Sequence, residues 1–254
     1  MKLRVFAGPN GSGKSTVIKY VREYKVNNNS IDFGEYINAD DIAASLKKND
    51  FSFNQFKITV SNEEFWEIAL ASGLINSSFD QLTFNDSFQI QNNSIILSDA
   101  SSVESLAQII ADFLRKKLLQ EKRRYSFETV FSHKSKLEIM KQAKAKGYKV
   151  YLYFVSTESP EINKARVASR VAQGGHDVPV DKIESRYYRS LDFLYDACQI
   201  ADQVFFFDNS AEGIDSNMFA HFKFENGKKK WDEINELKVP YWFIKYYSEK
   251  IQTV

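Results

Sequence analysis

The sequence predicts an α/β fold, a parallel sheet with helices on both faces. Three observations predict it. A strand-like run, Leu3-Arg4-Val5-Phe6-Ala7, empties into Gly8-Pro9-Asn10-Gly11-Ser12-Gly13-Lys14-Ser15-Thr16, the G-x-x-x-x-G-K-S pattern of a phosphate-binding P-loop. Further apolar runs alternate along the chain with segments of helical periodicity, the order that builds βαβ units. Acidic residues stand where those runs end, and in a doubly wound sheet ligands collect beyond the carboxyl ends of the strands.

The loop residues carry the strongest chemical message. Glycines at 8, 11 and 13 permit positive φ and let backbone N–H groups converge on an anion. The helix that starts near Gly13 turns its positive end to the same place. Lys14 then reaches the β- and γ-phosphates, and the Ser15 hydroxyl ligates Mg²⁺. The P-loop reading therefore calls for ATP or GTP with Mg²⁺, bound by Gly8, Pro9, Asn10, Gly11, Ser12, Gly13, Lys14, Ser15 and Thr16, in a P-loop NTPase fold.

Composition sets outer bounds. The 254 residues fit one domain, residues 1–254, carrying an insertion over about 49–100 and a C-terminal extension over about 211–254. With 43% hydrophobic and 15% aromatic residues, the chain can bury a core. Thirty-four basic residues nearly balance 33 acidic ones, which speaks against wholesale nucleic-acid binding. One cysteine, Cys198, allows no internal disulfide and reads as an inert core thiol. No run of 18 apolar residues occurs, so the expected protein is soluble and cytoplasmic, with no membrane partner. Three histidines and one cysteine indicate no transition-metal site.

The elements follow in order. Val17, Ile18 and Val21 mark the first helix, and Asn27–Ser30 a loop. A strand, Tyr36-Ile37-Asn38, ends in Ala39-Asp40-Asp41 ahead of a small helix through Ala43, Ala44 and Leu46. The insertion, rich in Phe, Asn and Ser, suggests a helix at 62–72 and strand-like pieces at Leu82–Phe84 and Ser87–Ile90. Ile95-Ile96-Leu97-Ser98-Asp99 imitates a Walker B element but reads better as an ordinary strand before a helix. Ser101 or Ser102 then caps a long helix whose stripe is Val103, Leu106, Ile110, Phe113 and Leu114. Its basic end, Lys122-Arg123-Arg124, suits a solvated C-terminus. Strand Tyr125–Val130 carries Glu128, and a helix through Leu137, Met140 and Ala143 ends at Gly147. Lys149–Val155 is a buried-strand run, and Ser159-Pro160 starts a helix that stops before Gly174-Gly175. Pro179 opens the next helix, lined by Ile183, Tyr187, Leu191 and Leu194. Gln203–Phe207 forms a strand ending at Asp208. Last, Phe222–Trp231 reads as a hairpin turning at Asn226-Gly227, with Phe222 opposite Trp231 and Lys228–Lys230 solubilising an edge.

Four acids fall at the carboxyl ends of the expected strands: Asp40, Asp41, Glu128 and Asp208. Four arginines, Arg166, Arg170, Arg186 and Arg189, bracket Gly174-Gly175-His176-Asp177. Phosphoryl transfer needs such groups, an acid for the acceptor hydroxyl and cations for the moving charge.

In these residues the chain resembles the zeta-toxin-like P-loop kinases. The likeness runs through the P-loop, Ile37-Asn38-Ala39-Asp40, Phe127-Glu128-Thr129, and Arg166-Val167-x-x-Arg170-Val171-x-x-Gly174-Gly175-His176-x-Val178-Pro179 with Arg186-Tyr187-x-Arg189-Ser190-Leu191. It covers most of 1–48 and 125–210, leaving out the insertion and hairpin. The resemblance implies a nucleotide-kinase-like fold and an ATP-dependent phosphotransferase acting on a small-molecule hydroxyl, with a nucleotide sugar as one acceptor class. It further implies Asp40 as catalytic base, Lys14 and Arg170 as catalytic cations, and Glu128 and Thr129 as substrate-binding residues. Arg166, Arg170 and His176 would meet the nucleotide from a lid, and a protein antitoxin would be a partner. His176 stands where some toxins carry a second lid arginine.

Each role has a structural rival. Asp40 or Asp41 could cap the helix that follows, and Glu128 could sit in a structural ion pair. The arginines could dress a helix surface, and His176 could be a plain loop residue. A nucleic-acid kinase or ATPase, or a non-catalytic ATP-binding switch, are the competing functions.

Overall fold

In the computed structural model, which describes residues 1–252 except His176, 212–216, 233 and 235, β1 (Lys2–Ala7) runs straight into the P-loop and α1 (Lys14–Glu23) leaves it. β2 (Lys25–Val26) and β3 (Asn29–Ser30) pair as a two-stranded hairpin where the sequence suggests a loop. Its turn residues Asn27 and Asn28 both adopt positive φ, as a tight hairpin turn requires. Next come β4 (Glu35–Ile37), α2 (Ala39–Lys47), α3 (Asn62–Leu70), α4 (Gln81–Asp86), β5 (Phe88–Gln91), β6 (Ser94–Leu97) and α5 (Val103–Gln120). They are followed by β7 (Tyr125–Thr129), α6 (Ser135–Ala145), β8 (Lys149–Ser156), α7 (Pro160–Ala172), α8 (Val180–Asp192), α9 (Leu194–Ile200), β9 (Gln203–Asp208), β10 (Asn217–Glu225), β11 (Lys228–Trp231) and a C-terminal helical stretch over 241–252. The chain forms two compact units, Met1–Phe33 with Ser126–Val254, and Gly34–Tyr125.

The first unit is the parallel-sheet unit. Its strands lie in the order β11-β10-β9-β8-β1-β7. β1 pairs β8 in parallel with Leu3 beside Val150, and β8 pairs β9 in parallel with Leu152 beside Val204. β8 is buried from Leu152 to Ser156, as expected of a parallel strand covered on both faces. Helices flank this sheet, α6 and α9 against β8 and α1 against β1. Along one face Phe33, Phe6, Tyr153, Phe205 and His221 stack in succession, with ring centroids 4.3–5.3 Å apart. β10 and β11 add antiparallel strands, and Phe222 does face Trp231. Lys229 departs from expectation. Its ammonium lies over the Phe222, Phe224 and Tyr247 rings and donates to the Tyr247 hydroxyl at 3.1 Å, so this lysine is tucked inward, and burial lowers its pKa.

The second unit is organised by α5. Its expected stripe is buried, and so are Asp112 and Arg115, which pair at 3.1 Å. Phenylalanines of the expected insertion close on it: Phe53 and Phe65 stand 5.6 and 5.0 Å from Phe113, and Phe65 stands 5.5 Å from Phe88. These rings make a core of their own. Trp66 and Phe88 alone of the insertion's aromatics line a groove of about 300 Å³, with Asn62, Gln89, Ile90 and Gln91.

Three expectations fail here. Leu82–Phe84 lies in α4, capped by Asp80, whose carboxylate takes the Thr83 N–H at 2.8 Å. Asp99, by contrast, stands as the sequence reads it, after an ordinary strand and not in a Walker B element. Its strand β6 pairs with β5 in a two-stranded sheet, and its carboxylate accepts from the Ser101 and Ser102 hydroxyls at 2.6 Å each. The serines expected to cap α5 are thus donors to Asp99, which caps the turn before it. Arg123 is not a solvated helix end either; it donates to the Phe56 and Lys57 carbonyls and to Glu35 at 2.6–3.0 Å.

Candidate functional site

Strand β1 ends at Ala7 because the next residues turn back on themselves. The Ser12 N–H donates to the Pro9 carbonyl, and the Gly13 carbonyl starts α1 by accepting from Thr16 and Val17. Gly13 caps that helix at φ +87, and a Cβ there would lie 1.8 Å from the Asn209 amide nitrogen, so only glycine fits. Lys14 is 7% exposed; its ammonium donates to the Pro9 carbonyl at 2.9 Å and stands 3.8 Å from a Glu128 carboxylate oxygen. Ser15 and Thr16 face solvent in the first turn. Ser12 is fully buried, and its hydroxyl has no partner among the described residues. A phosphate oxygen would satisfy that donor, and the Gly11 and Gly13 N–H groups, which donate to no protein group among the described residues, suit the same anion. The residues therefore fit a polyphosphate, and Ser15 with phosphate oxygens would supply the few protein ligands Mg²⁺ takes.

Glu128, at the end of β7, is 15% exposed and meets the P-loop lysine itself. Of its two readings, the ion pair is the one the structure shows. The Thr129 hydroxyl is committed locally: it accepts the Phe131 N–H at 3.1 Å and shapes a turn in which Phe131 holds φ +63.

In the second unit, α2 is capped by Asn38, whose carboxamide oxygen takes the Asp40 N–H at 2.9 Å. Neither Asp40 nor Asp41 is the cap. Asp40 stands exposed in the first helical turn. Beside that turn is a hollow of about 140 Å³ lined by Tyr36, Asn38, Asp41, Ile42, Ser45, Gln55 and Phe56.

The arginines go to different partners. Arg166 donates to the Asn209 carbonyl at 2.7 Å and the Ala211 carbonyl at 3.4 Å. Arg189 turns back to the Ser185 carbonyl at 3.2 Å. Arg186 is half-buried, and burial, with Arg189 nearby, lowers its pKa. Arg170 is exposed in the last turn of α7. Gly174 and Gly175 are spent on ending that helix: Gly175 N–H bonds the Arg170 carbonyl and Gly174 N–H the Val171 carbonyl, the two bonds of a Schellman stop. Val167, Val171, Val178 and Ile183 then pack α7 against α8. His176 lies outside the described residues. Asp208 is also occupied, accepting from the Trp242 indole at 2.9 Å and the Ser210 hydroxyl at 2.8 Å.

Two residues that touch the P-loop escaped the sequence reading. Asn163 on α7 donates to the Asn10 carbonyl at 2.5 Å, and Asn209, after β9, donates to the Ser12 carbonyl at 2.9 Å. Asn163 had left a signal, since it shares the buried stripe of α7 with Pro160 and Val167. An asparagine on a core-facing stripe needs a buried partner.

Comparison with known proteins agrees with this architecture. The zeta toxin family model matches residues 93–215, just under half of the chain, a span that includes Glu128, Asn163, Arg166 and Asn209. An uncharacterized protein of Haemophilus influenzae is 36% identical over 63 residues, covering 25% of this chain and 45% of that protein. The structure of the AvrRxo1-ORF1:AvrRxo1-ORF2 complex with sulphate ions aligns with a TM-score of 0.50 and 16% identity, over 90% of this chain and 60% of that one. The same complex with ATP aligns at 0.49, also with 16% identity and the same coverage. The chain thus spans less than two thirds of these relatives, and the structural likeness speaks to the fold.

Proposed function

From a zeta-toxin match over 93–215 and a P-loop ahead of it, we propose that the protein is an ATP-dependent phosphotransferase that moves the γ-phosphoryl group to a hydroxyl of a small acceptor. The observation that carries this reading is the meeting of Lys14 and Glu128 at 3.8 Å beside a P-loop built for an anion. A purely structural ion pair has no need of a helix N-terminus and a glycine-rich turn around it.

In this reading, Lys14 and the loop amides hold the β- and γ-phosphates, and Ser15 would hold Mg²⁺. Bound Mg²⁺ supplies neutralisation of charge as the phosphoryl group leaves. Glu128 meets the acceptor where it approaches the γ-phosphate, and Asp40 accepts the acceptor's proton. Arg170 reaches over the nucleotide from α7. Arg166 acts through Asn209, and His176 joins the nucleotide side by resemblance. A nucleotide sugar is one acceptor class; a protein antitoxin is a partner of the kind the zeta-toxin match suggests.

The test is direct. Purified protein with ATP and Mg²⁺ should form ADP when offered nucleotide sugars or other small hydroxyl acceptors, in excess of any turnover with oligonucleotides. ATP binding without transfer to any small acceptor would make the protein a switch. Transfer to oligonucleotide ends alone would make it a nucleic-acid kinase.

A further inference from the structure

The P-loop has to solve an orientation problem before any phosphate arrives. An anion cradle needs its N–H groups turned inward, and nothing in a glycine-rich backbone enforces that, because glycine turns freely. In a trans peptide the carbonyl of one residue and the N–H of the next point in opposite directions. A carbonyl held on one side therefore aims the following N–H to the other.

Two carbonyls of the loop are held in this way. Asn163 Nδ2 donates to the Asn10 carbonyl at 2.5 Å, and Asn209 Nδ2 to the Ser12 carbonyl at 2.9 Å. The amides that follow are those of Gly11 and Gly13, and neither donates to a protein group among the described residues. Both asparagines lie tight against the loop: a Cβ on Gly11 would come within 2.6 Å of the Asn163 carbonyl oxygen, and one on Gly13 within 1.8 Å of Asn209 Nδ2.

The Asn163 carboxamide and the Asn209 backbone are themselves fixed. Asn163 is fully buried, and its Oδ1 pairs with the Thr157 hydroxyl, whose own carbonyl accepts from the Tyr187 phenol at 2.6 Å. A carbonyl can only accept, so the side-chain nitrogen of each asparagine must face the loop. The Asn209 carbonyl is gripped by Arg166 at 2.7 Å, and its N–H donates to the Ser156 carbonyl at 2.9 Å. Asn163 and Arg166 sit three residues apart on α7, so one helix face steadies the loop at both points.

We propose that Asn163 and Asn209 are positioning residues that preset the Gly11 and Gly13 amides toward the phosphates. The inference rests on the nucleotide reading above and adds to it which residues make the loop ready in advance. Its chemical signature is affinity for the polyphosphate itself, independent of adenine or acceptor.

The experiment compares wild type, Asn209→Ala and Asn163→Ala in calorimetric titrations with inorganic tripolyphosphate and with ATP, each with Mg²⁺, alongside the melting temperature of the ligand-free proteins. Removing either donor should weaken both ligands by about 10- to 100-fold, the usual worth of a residue that orients a ligand-holding group. The KM for ATP should rise while kcat at saturating ATP and the acceptor KM hold. Because Asn163 is fully buried, Asn209→Ala keeps the test open should Asn163→Ala fail to fold. A folded Asn209→Ala that binds tripolyphosphate as tightly as wild type overturns the proposal, and a lowered melting temperature with unchanged affinity would make the asparagines structural only. If wild type itself binds neither ligand, the nucleotide reading falls first and this one with it.

Discussion

The two compact units of the chain solve their packing in opposite ways. In the first, the Pro9, Asn10 and Ser12 carbonyls of the P-loop are each met by a named polar donor, Lys14, Asn163 and Asn209. In the second, α5 gathers phenylalanines, and Phe65 alone has Phe53, Phe84, Phe88 and Phe113 for neighbours. Hydrogen bonds are directional and dispersion is not. A loop that must hold an anion needs direction, while a core that must only exclude water tolerates many ring arrangements. The second unit should therefore accept substitution by another large apolar residue, whereas the loop partners should not accept even isosteres.

The sharpest way to break this contrast is Lys14→Ala. ATP turnover should fall by at least about 10²–10³-fold, the cost of losing one preorganised charge partner, and circular dichroism should show the sheet intact. Undiminished turnover would end the P-loop assignment. Asp40→Asn asks whether the second unit contributes chemistry. Transfer should drop by about 10²–10⁴-fold, with ATP affinity unchanged. Weaker ATP binding with unaltered turnover of bound substrate would move the base elsewhere, to Asp41 or Glu128. Phe65→Ala tests the second unit's core: it should cost about 3–5 kcal/mol in denaturant unfolding, and Phe65→Leu much less. Equal losses for the two would mean that ring geometry counts there as well. The smallest effect is a silence. Cys198 is fully buried and its thiol is pushed far above the usual range, so it stays protonated at neutral pH and should ignore a thiol reagent until the chain unfolds.

The contrast also decides what the sequence could disclose. The P-loop was legible because its chemistry needs fixed residue types at fixed spacing. The Phe222–Trp231 register was legible because Asn-Gly dictates a two-residue turn. The α5 stripe was legible as periodicity, although the burial of Asp112 and Arg115 beside it was not, since that depends on neighbours distant in sequence. Leu82–Phe84 misled because three apolar-flanked residues carry no period; the Asp80 cap decided the helix. The strand before Asp99 was legible as an ordinary one, but the acid's own task was not, for an acid after a strand reads the same whether it meets a metal or caps a turn. Gly174-Gly175 was legible as the end of α7, where the structure has a Schellman stop. Asn209 was invisible because a lone asparagine after a strand has no local signature; only the fold brings it to Ser12.

The seating of Trp242 gives the molecule an optical property. Its indole is 1% exposed and donates to Asp208, one residue before the asparagine that touches the P-loop. Of the three tryptophans, Trp231 and Trp242 belong to the first unit and Trp66, half-exposed between Phe84 and Phe88, to the second. The chain therefore carries three emitters, a deeply enclosed indole beside a carboxylate, a half-buried one on β11 and another in an aromatic groove. With Trp231 replaced by phenylalanine, emission from Trp242 would register events at the end of β9 and emission from Trp66 the phenylalanine core, so each unit could be watched by its own light.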